Sequence, residues 1–198
     1  MIKFENICKD EPFVLLKSKY DEAVKANQKL VEAISISSFS KENNEVDSRY
    51  VNLKFVKNNE FIFFSNYESP KSFQFLDHNQ ISAILFWSEI NTQIRMKASI
   101  EKTSEDFSNN YFKNRDKNKN ALAISSNQSK KTESYSEVER NYQKTLENEN
   151  LSVRPEYWGG FAFVPYYFEF WEGHDKRLNK RVTFSFEDGK WLKCLLQP

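Results

Sequence analysis

Apolar and polar residues alternate with a period of two along several stretches of the chain, a pattern typical of half-buried β-strands. In residues 93–101 the apolar side chains Ile94, Met96, Ala98 and Ile100 fall on one side, and polar or charged side chains fall on the other. We therefore predict a strand there, with one face in the core. Alternation also predicts a strand at residues 49–57. Apolar composition and flanking turn residues predict further strands at residues 30–39, 60–65, 81–87, 160–172 (interrupted at Pro165), 182–186 and 190–196.

Helical spacing is clearest near the N-terminus. An apolar stripe that roughly fits helical spacing follows Pro12 and consists of Phe13, Leu15, Leu16, Tyr20 and Val24. Because proline is favoured in the first turn of a helix, a helix is predicted at residues 12–27. Shorter helices are predicted at residues 71–76, 104–114 and 134–148, and a polar loop at 41–47, whereas 118–131 is polar and only marginally periodic.

The order of these elements predicts the fold class. Asn58-Asn59 and Asp188-Gly189 are tight-turn pairs that join neighbouring strands as hairpins. With 18 Phe, 9 Tyr and 4 Trp against only 4 Gly, the composition favours a sheet-based core. We predict a mainly β protein of the α+β class, with seven or eight antiparallel strands in a closed or split barrel with peripheral helices. One domain would span residues 1–198, with a helical insertion at about 104–148.

Charge and cysteine usage narrow the function classes. The net charge is +1 and the basic residues are scattered, so no broad nucleic-acid-binding face is expected. Cys8 and Cys194 lie near opposite ends without metal-ligand spacing and are expected to be free thiols. No apolar run approaches a membrane span, so we expect a cytoplasmic protein without a membrane partner. Motifs for a protein nucleophile or a metal site are absent, which predicts neither covalent catalysis nor a bound metal.

Residues 169–181 combine an aromatic strand end with a cluster of cations. Trp171 is followed by Lys176, Arg177, Lys180 and Arg181. A tryptophan beside guanidinium groups suits a planar, anionic ligand, because the ring can stack on it while the cations pair with its oxygens. A solvated basic turn after a buried strand explains the same residues equally well. Other strand ends repeat the combination of cations or amides with aromatics, as expected for a cofactor that brings its own redox chemistry.

Ten short segments, in the same order along nearly the whole chain, resemble the pyridoxine/pyridoxamine 5'-phosphate oxidase family, which has an FMN-binding split-barrel fold. No single segment is specific to the family. The order of the segments, which ends in an EFW segment and an RLxxR segment, is specific. The matching segments are Glu11-Pro12, residues 48–54, 61–71, Phe86-Trp87, residues 93–95, 111–115, 126–129, 157–160, 169–171 and 177–181, followed by residues 191–198.

The resemblance implies the roles of individual residues. The expected cofactor is FMN, the expected assembly is a homodimer with FMN at the subunit interface, and the expected reaction is oxidation of pyridoxamine or pyridoxine 5'-phosphate with transfer of a hydride to the flavin. FMN would be held by Arg49, Tyr50, Val51, Asn52, Leu53, Lys54, Phe64, Ser65, Lys71, Gln93, Gln128, Ser129, Trp171 and Arg181. The phosphorylated substrate would contact Lys54, Tyr111, Arg115, Lys119, Arg177 and Asn179, of which Arg177 and Asn179 would be catalytic.

Three positions depart from the family pattern. Asn179 stands where the family has histidine, Lys119 where it has serine, and Pro70 where it has a basic residue. Lysine still pairs with phosphate, and asparagine keeps hydrogen-bonding capacity but cannot titrate. Two alternatives to the B6 oxidase therefore stay open: a related flavin oxidoreductase acting on another small planar substrate, and a non-catalytic module that binds FMN or pyridoxal phosphate.

Overall fold

The computed structural model describes residues 1–198 and contains ten β-strands and five α-helices. The strands are β1 (Lys3–Glu5), β2 (Ala33–Ser40), β3 (Glu45–Asn52), β4 (Phe55–Lys57), β5 (Glu60–Asn66), β6 (Gln80–Trp87), β7 (Thr92–Lys102), β8 (Trp158–Glu172), β9 (Lys180–Glu187) and β10 (Lys190–Leu196). The helices are α1 (Glu11–Lys25), α2 (Pro70–Asp77), α3 (Glu105–Lys113), α4 (Lys117–Ser125) and α5 (Tyr135–Asn148).

All ten strands belong to one sheet, which confirms the mainly β fold with peripheral helices. Their order is β1-β4-β5-β8-β7-β6-β2-β3, with β9 beside β8 and β10 beside β9. The expected count of seven or eight strands is too low, because β1 and β4 have three residues each and are too short to show an alternating pattern. These two strands are also the one parallel pair in an otherwise antiparallel sheet.

Strand β8 is the longest strand and has different neighbours along its two halves. Residues 158–163 pair with β5 and residues 167–172 pair with β9, while β7 runs along the opposite edge. Pro165 lies between these halves, beside a register shift opposite Lys97 and Ala98 of β7. A proline without an amide proton is tolerated there, since neither β5 nor β9 pairs with it. The strand is therefore continuous through Pro165, and the sheet divides at this point.

The strand predicted at residues 49–57 is wrong as a single element. β3 already begins at Glu45, inside the predicted loop 41–47, and ends at Asn52. At Leu53 and Lys54 the chain changes partners, because the amide of Leu53 donates to Glu32 and that of Lys54 donates to Ile62. β3 thus pairs with β2, whereas β4 pairs with β5. Such a change of partner is a long-range event that alternation cannot reveal.

Both predicted hairpin turns are confirmed. Lys57 pairs with Glu60 across Asn58-Asn59, and Asn58 has φ 53°. Glu187 pairs with Lys190 across Asp188 and Gly189, whose φ values are 49° and 78°. Positive φ at these positions gives the turn a twist that matches the twist of the strands. Local turn chemistry was therefore a reliable guide to these connections.

The predicted helices near residues 12–27, 71–76, 104–114 and 134–148 are confirmed with small shifts of their ends. The polar segment 118–131 was not assigned a helix, but it contains most of α4. α4 is stabilised by its N-cap Asp116 and by buried Asn120, whose amide donates to the carbonyls of Phe112 and Leu151 at 2.8 Å each. These bonds replace the apolar stripe that would have marked the helix in the sequence.

The main core contains 26 buried apolar residues, contributed mainly by the sheet and α1 and also by Phe75 of α2. Phe13 of α1 is fully buried and meets Phe168 of β8 edge-on, with ring centroids 5.3 Å apart. A smaller cluster of Phe55, Ile62 and Ala162 lies on the other side of β5, where Phe64 and Tyr111 pack against it. Phe55 of this cluster lines a large cleft together with Phe64 and Tyr111.

Candidate functional site

A cleft of about 950 Å³ lies between β3, β5, the start of α2 and the helices α3 and α4. Most of the residues predicted to bind the cofactor or the substrate phosphate line it, although they come from five separate segments of the chain. They are Arg49, Tyr50, Val51, Asn52, Lys54, Phe64, Ser65, Lys71, Tyr111, Arg115, Lys119, Gln128 and Ser129. We call this site the cleft.

One end of the cleft carries Arg49 and Lys71. The guanidinium group of Arg49 is held by Ser38 at 2.6 Å, Asp47 at 2.7 Å and Gln74 at 2.9 Å. These bonds fix its orientation on β3. Lys71 follows Pro70 at the N-terminus of α2, where the helix dipole also favours an anion. Proline at the first helical position fits the helix start, although it supplies no cation.

Lys71 is a buried cation without a carboxylate partner. Its side chain is only 8% exposed, and its amine contacts Ser69 Oγ at 3.0 Å but forms no salt bridge. Burial, followed by repulsion from Arg49, lowers the pKa of Lys71 to about 8. A buried ammonium is costly unless an opposite charge comes close to it. This end of the cleft therefore has the chemistry of a phosphate-binding site.

A second group of cations, Lys54, Arg115 and Lys119, lies elsewhere in the cleft. Desolvation lowers the pKa of Lys54, and nearby Lys119 and Arg115 lower it further, against an opposing effect of Glu32. Desolvation likewise lowers the pKa of Arg115. Arg49 donates to Gln74 of α2, the helix that carries Lys71, whereas Arg115 donates to the carbonyl of Lys119 at 2.8 Å, so contacts group the cations into two clusters on different elements. The cleft thus offers two places for anionic groups.

Stacked aromatic rings form a wall of the cleft. Phe64 stacks on Tyr111 with ring centroids 3.7 Å apart, and on Trp158 at 5.2 Å. The guanidinium carbon of Arg115 lies 5.0 Å from the ring of Trp158, a cation–π contact. This wall orients Arg115 and Tyr111 on one side of the cleft, where a planar ligand would also find apolar contact.

Six predicted residues do not line the cleft. The side chain of Leu53 is fully buried in the main core. Gln93, Trp171 and Arg181 lie on β7, β8 and β9, and Arg177 and Asn179 lie in the turn between β8 and β9, away from the cleft lining. Within one chain, the structure therefore brings together the predicted phosphate contacts, but not the predicted contacts to the flavin ring and the substrate ring.

Gln93, Trp171 and Arg181 form one row across three strands. Gln93 pairs directly with Trp171, and Trp171 pairs directly with Arg181. Directly paired residues project to the same face of a sheet, and the sequence neighbours Ile94 and Phe170 are buried on the core side. The three side chains therefore point outward together, and we call them the cross-strand row. Phe86, which is 53% exposed, extends this row on β6.

The turn after β8 is held by hydrogen bonds of its own. The amide of Arg177 donates to the carbonyl of His174 at 2.8 Å, and the amide of His174 donates to Asn179 Oδ1 at 3.0 Å. Arg177 has φ 61°, a left-handed conformation that is rare for a residue with a side chain. The side chain of Arg177 is exposed. Asn179 thus takes part in shaping the turn that presents Arg177.

Several residues of the cleft were not predicted as functional. Trp158 is the clearest case, although the segment 157–160 was part of the recognised pattern. Asn66 and Asp47 also line the cleft, and α4 adds Leu122 and Ala123. A Cβ on the following residue, Gly159, would lie 2.2 Å from the hydroxyl of Tyr67, so a glycine is needed for this close approach. That glycine pair is the sequence signal from which Trp158 could have been predicted.

The fold and the cleft define a split-barrel protein whose cleft has two clusters of cations and an aromatic wall. Residues 158–198 match the family model described as the pyridoxine 5'-phosphate oxidase C-terminal dimerisation region. The chain is 32% identical over 192 residues to pyridoxine/pyridoxamine 5'-phosphate oxidase of Synechocystis sp., covering 96% of this chain and 89% of the relative. It is 33% identical over 190 residues to the oxidase of Colwellia psychrerythraea, covering 94% and 87%. The protein belongs to the pyridoxine/pyridoxamine 5'-phosphate oxidase family, a family of oxidoreductases.

Two solved structures share the fold. PhzG from Burkholderia lata, in complex with tetrahydrophenazine-1-carboxylic acid, superposes with a TM-score of 0.89 at 21% identity, covering 96% of this chain and 93% of that one. A pyridoxamine 5'-phosphate oxidase-related, FMN-binding protein from Nostoc punctiforme has a TM-score of 0.74 at 12% identity, covering 92% and 96%. Both likenesses support the split-barrel assignment. None of the helices is long and apolar enough to cross a membrane.

Proposed function

We propose that the protein is an FMN-dependent oxidase that converts pyridoxamine or pyridoxine 5'-phosphate to pyridoxal 5'-phosphate. The observation that carries this proposal is the pair of separate cation clusters in one cleft, since the cofactor and the substrate each bring one phosphate. The redox chemistry would be supplied by bound FMN, as a hydride acceptor that oxygen can reoxidise with release of hydrogen peroxide. The chain itself binds and orients the two molecules.

The residues around Lys71 fit the phosphate of FMN. Lys71 lacks a carboxylate partner, Arg49 is held in a fixed orientation, and Ser65 adds a hydroxyl donor to the same cleft. Gln128 and Ser129 line the cleft as well and supply further polar groups. FMN would also contact the segment from Tyr50 to Lys54 and Phe64, with Leu53 limited to its backbone because its side chain is in the core.

The second cluster fits the phosphate of the substrate. Lys54, Arg115 and Lys119 would neutralise it, and the hydroxyl of Tyr111 would donate a hydrogen bond. Lys119 in place of serine adds a charge to this cluster and suits a phosphate dianion. Arg177 and Asn179 would approach the substrate ring from a second subunit, with Arg177 nearest to the reacting carbon.

The predicted site residues are divided between the cleft and the cross-strand row, and this division supports a homodimer with FMN at its interface. The cross-strand row lies outside the cleft of its own chain, so Gln93, Trp171 and Arg181 would reach the flavin in the cleft of the partner. The match of residues 158–198 to a dimerisation region supports this arrangement, because Trp171 and Arg181 lie within it. Each dimer would then hold two equivalent sites.

The proposal is tested by the absorbance spectrum of the purified protein, before and after anaerobic addition of pyridoxamine 5'-phosphate. We expect flavin absorbance that bleaches on addition of the substrate, and peroxide release when air is admitted. Arg49→Ala should weaken FMN binding about ten- to a hundredfold, whereas Arg177→Ala should spare FMN binding and lower turnover. Protein that cannot be reconstituted with FMN would refute the proposal, and so would the reverse pattern in the two variants.

A second candidate is a flavin oxidoreductase that acts on a different small planar substrate. It is favoured by Asn179, which replaces a titratable histidine and whose oxygen is engaged with the amide of His174. Bleaching of the flavin by another substrate, without turnover of either B6 phosphate, would support this candidate. Tight binding of FMN or pyridoxal phosphate without any flavin reduction would instead indicate a non-catalytic module.

A further inference from the structure

Glu169 is a buried carboxylate that lies beside the cross-strand row. Its side chain is only 3% exposed, although it projects from β8 on the same outward face as Trp171, two residues further along. Burying a carboxylate is costly unless several hydrogen bonds satisfy it. Glu169 has them, because Arg95, Arg181 and Tyr167 all donate to it.

The contacts of Glu169 fix the guanidinium group of Arg181. Nε and Nη2 of Arg181 both contact Oε1 of Glu169 at 2.8 Å, while Nη1 donates to the carbonyl of Gln197 at 3.2 Å. All three nitrogens are therefore engaged, which leaves the plane of the group little freedom. The other oxygen of Glu169 accepts from Arg95 Nη1 at 3.1 Å and from Tyr167 at 3.2 Å.

The charges of this cluster do not cancel. Arg95 and Arg181 bring two positive charges against the single carboxylate of Glu169, so one positive charge remains on the outward face. A buried ion cluster seldom stabilises a fold more than apolar residues of similar size would. Its residual charge and fixed geometry suit contact with an electron-rich group of a ligand.

We propose that Glu169 is a positioning residue that fixes Arg181 for contact with the flavin ring and sets the charge beside that ring. This inference rests on the proposed function, since it needs FMN in the cleft of the partner subunit. Glu169 does not touch the flavin and acts through Arg181. Arg95 holds the second oxygen of Glu169 and completes the support.

The test is a double-mutant cycle on FMN affinity, measured in the dimer by quenching of FMN fluorescence. Glu169→Gln keeps the size of the side chain and removes its charge, and we expect FMN to bind about ten- to a hundredfold more weakly. Arg181→Gln should weaken binding as well. Because Glu169 acts through Arg181, the double variant should bind FMN no more weakly than Arg181→Gln alone. Additive losses would overturn the proposal.

The reduction potential of the bound flavin separates positioning from a merely structural role. Removing the carboxylate leaves more positive charge beside the ring, so Glu169→Gln should make the potential more positive. A variant that only loosens the fold would lower its unfolding temperature without moving the potential. Glu101→Gln is the matched control, since it makes the same substitution at an exposed carboxylate of β7 that contacts none of Arg95, Tyr167 and Arg181, and it should change neither quantity.

If Glu169→Gln does not fold, Arg95→Lys provides the same test with a milder change. This substitution keeps the positive charge but weakens the hydrogen bond that Arg95 donates to Glu169. We expect FMN affinity to fall by less than tenfold, and we expect no further loss when the same substitution is made in the Arg181→Gln variant. Wild-type protein that does not quench FMN fluorescence would refute the proposed function. Wild-type protein that binds FMN, with unchanged affinity and potential in Glu169→Gln, would refute the role of Glu169 alone.

Discussion

The cleft and the cross-strand row carry residues predicted for the same cofactor, but they differ in shape and in charge pairing. The cleft is concave and contains Lys71, a buried cation without a carboxylate partner. The row lies on the outward face of the sheet, and its cation Arg181 is already bound by Glu169. One region thus has an unsatisfied charge, and the other has a charge fixed in place.

This difference suggests how a flavin site would be divided between two subunits. A buried cation without a carboxylate partner attracts a phosphate strongly, because the phosphate relieves the cost of burying the charge. A preorganised guanidinium on a flat strand face suits the edge of a flavin ring. The charge of that ring changes little when the flavin binds and more when it is reduced. Neither region by itself has both properties. The predictions below test whether two chains must combine them.

The largest effect is expected from mixed dimers of Arg49→Ala and Trp171→Ala chains. Each homodimer lacks one half of both sites and should retain little FMN or turnover. In a heterodimer one of the two sites combines the intact cleft with the intact row, so FMN occupancy and turnover should recover to about half of the wild-type values. Co-expression with two different affinity tags isolates the heterodimer for this measurement.

The control for this experiment is a heterodimer in which one chain carries both substitutions and the other is wild type. There each site has one intact half and one altered half, so no recovery is expected. If the cleft and the row of the same chain formed the site, the wild-type chain of the control heterodimer would contain a complete site. That heterodimer would then have about half of the wild-type activity. The two heterodimers therefore give opposite results under the two arrangements.

The comparison also separates what could be predicted from the sequence and what could not. The hairpin turns at Asn58 and Asp188 depend on a few adjacent residues and were predicted correctly. The helix α1 and the strand β7 have clear periodicities over one segment. The cations of the cleft were found through family motifs. Most of the fold could therefore be predicted from short-range patterns, and the candidate site residues could be predicted from the order of the family motifs.

Features that depend on distant partners were missed. The strand predicted at residues 49–57 is interrupted at Leu53, because β3 and β4 pair with different strands. The alternation of apolar and polar residues continues through this interruption and gives no sign of it. α4 depends on the bonds of Asn120 to Phe112 and Leu151, which no local stripe reveals. The cross-strand row joins residues up to 88 positions apart, between Gln93 and Arg181, and its alignment is set by strand register. Such relations exist only once the sheet has formed.

Lys71→Met should lower FMN affinity about ten- to a hundredfold and at the same time stabilise the ligand-free protein. Methionine fills the space of the lysine stem, and the cost of a buried charge near Arg49 disappears. We expect the free energy of unfolding to rise by about 1–3 kcal/mol at neutral pH. Urea unfolding of the ligand-free protein and FMN titration check the two effects. A destabilised variant with unchanged affinity would mean that Lys71 is structural.

The affinity for FMN should fall as the pH rises through about 8, by at most tenfold per pH unit. The pKa of Lys71 is lowered to about 8 by burial first and then by Arg49, with Asp47 opposing, so the phosphate finds an ammonium only below that pH. The stability of the ligand-free protein should change in the opposite direction. Between pH 8 and the usual lysine pKa of 10.5, the unfolded chain binds more protons, so stability rises with pH.

Titrations of FMN between pH 7 and 10 measure this dependence, and Lys71→Met is its control. In the variant the fall near pH 8 should disappear, whereas any slope due to other groups should persist. The side chain of Gln93 does not titrate, so Gln93→Ala should weaken binding by the same factor at every pH. An identical pH profile in wild type and Lys71→Met would assign the titration to another group of the cleft.

The smallest effect is expected at Asn179, where the role of the side chain can be separated from direct contact with the substrate. Its Oδ1 accepts from the amide of His174 and closes the turn that holds Arg177 in a left-handed conformation. Asn179→Ala removes this bond, which is worth about 1 kcal/mol, so turnover should fall about fivefold while FMN affinity stays unchanged. Asn179→Asp keeps the acceptor and should stay near the wild-type rate. If the amide group instead contacts the substrate, Asn179→Asp will be impaired at least as much as Asn179→Ala, since a carboxylate cannot donate and repels a phosphate.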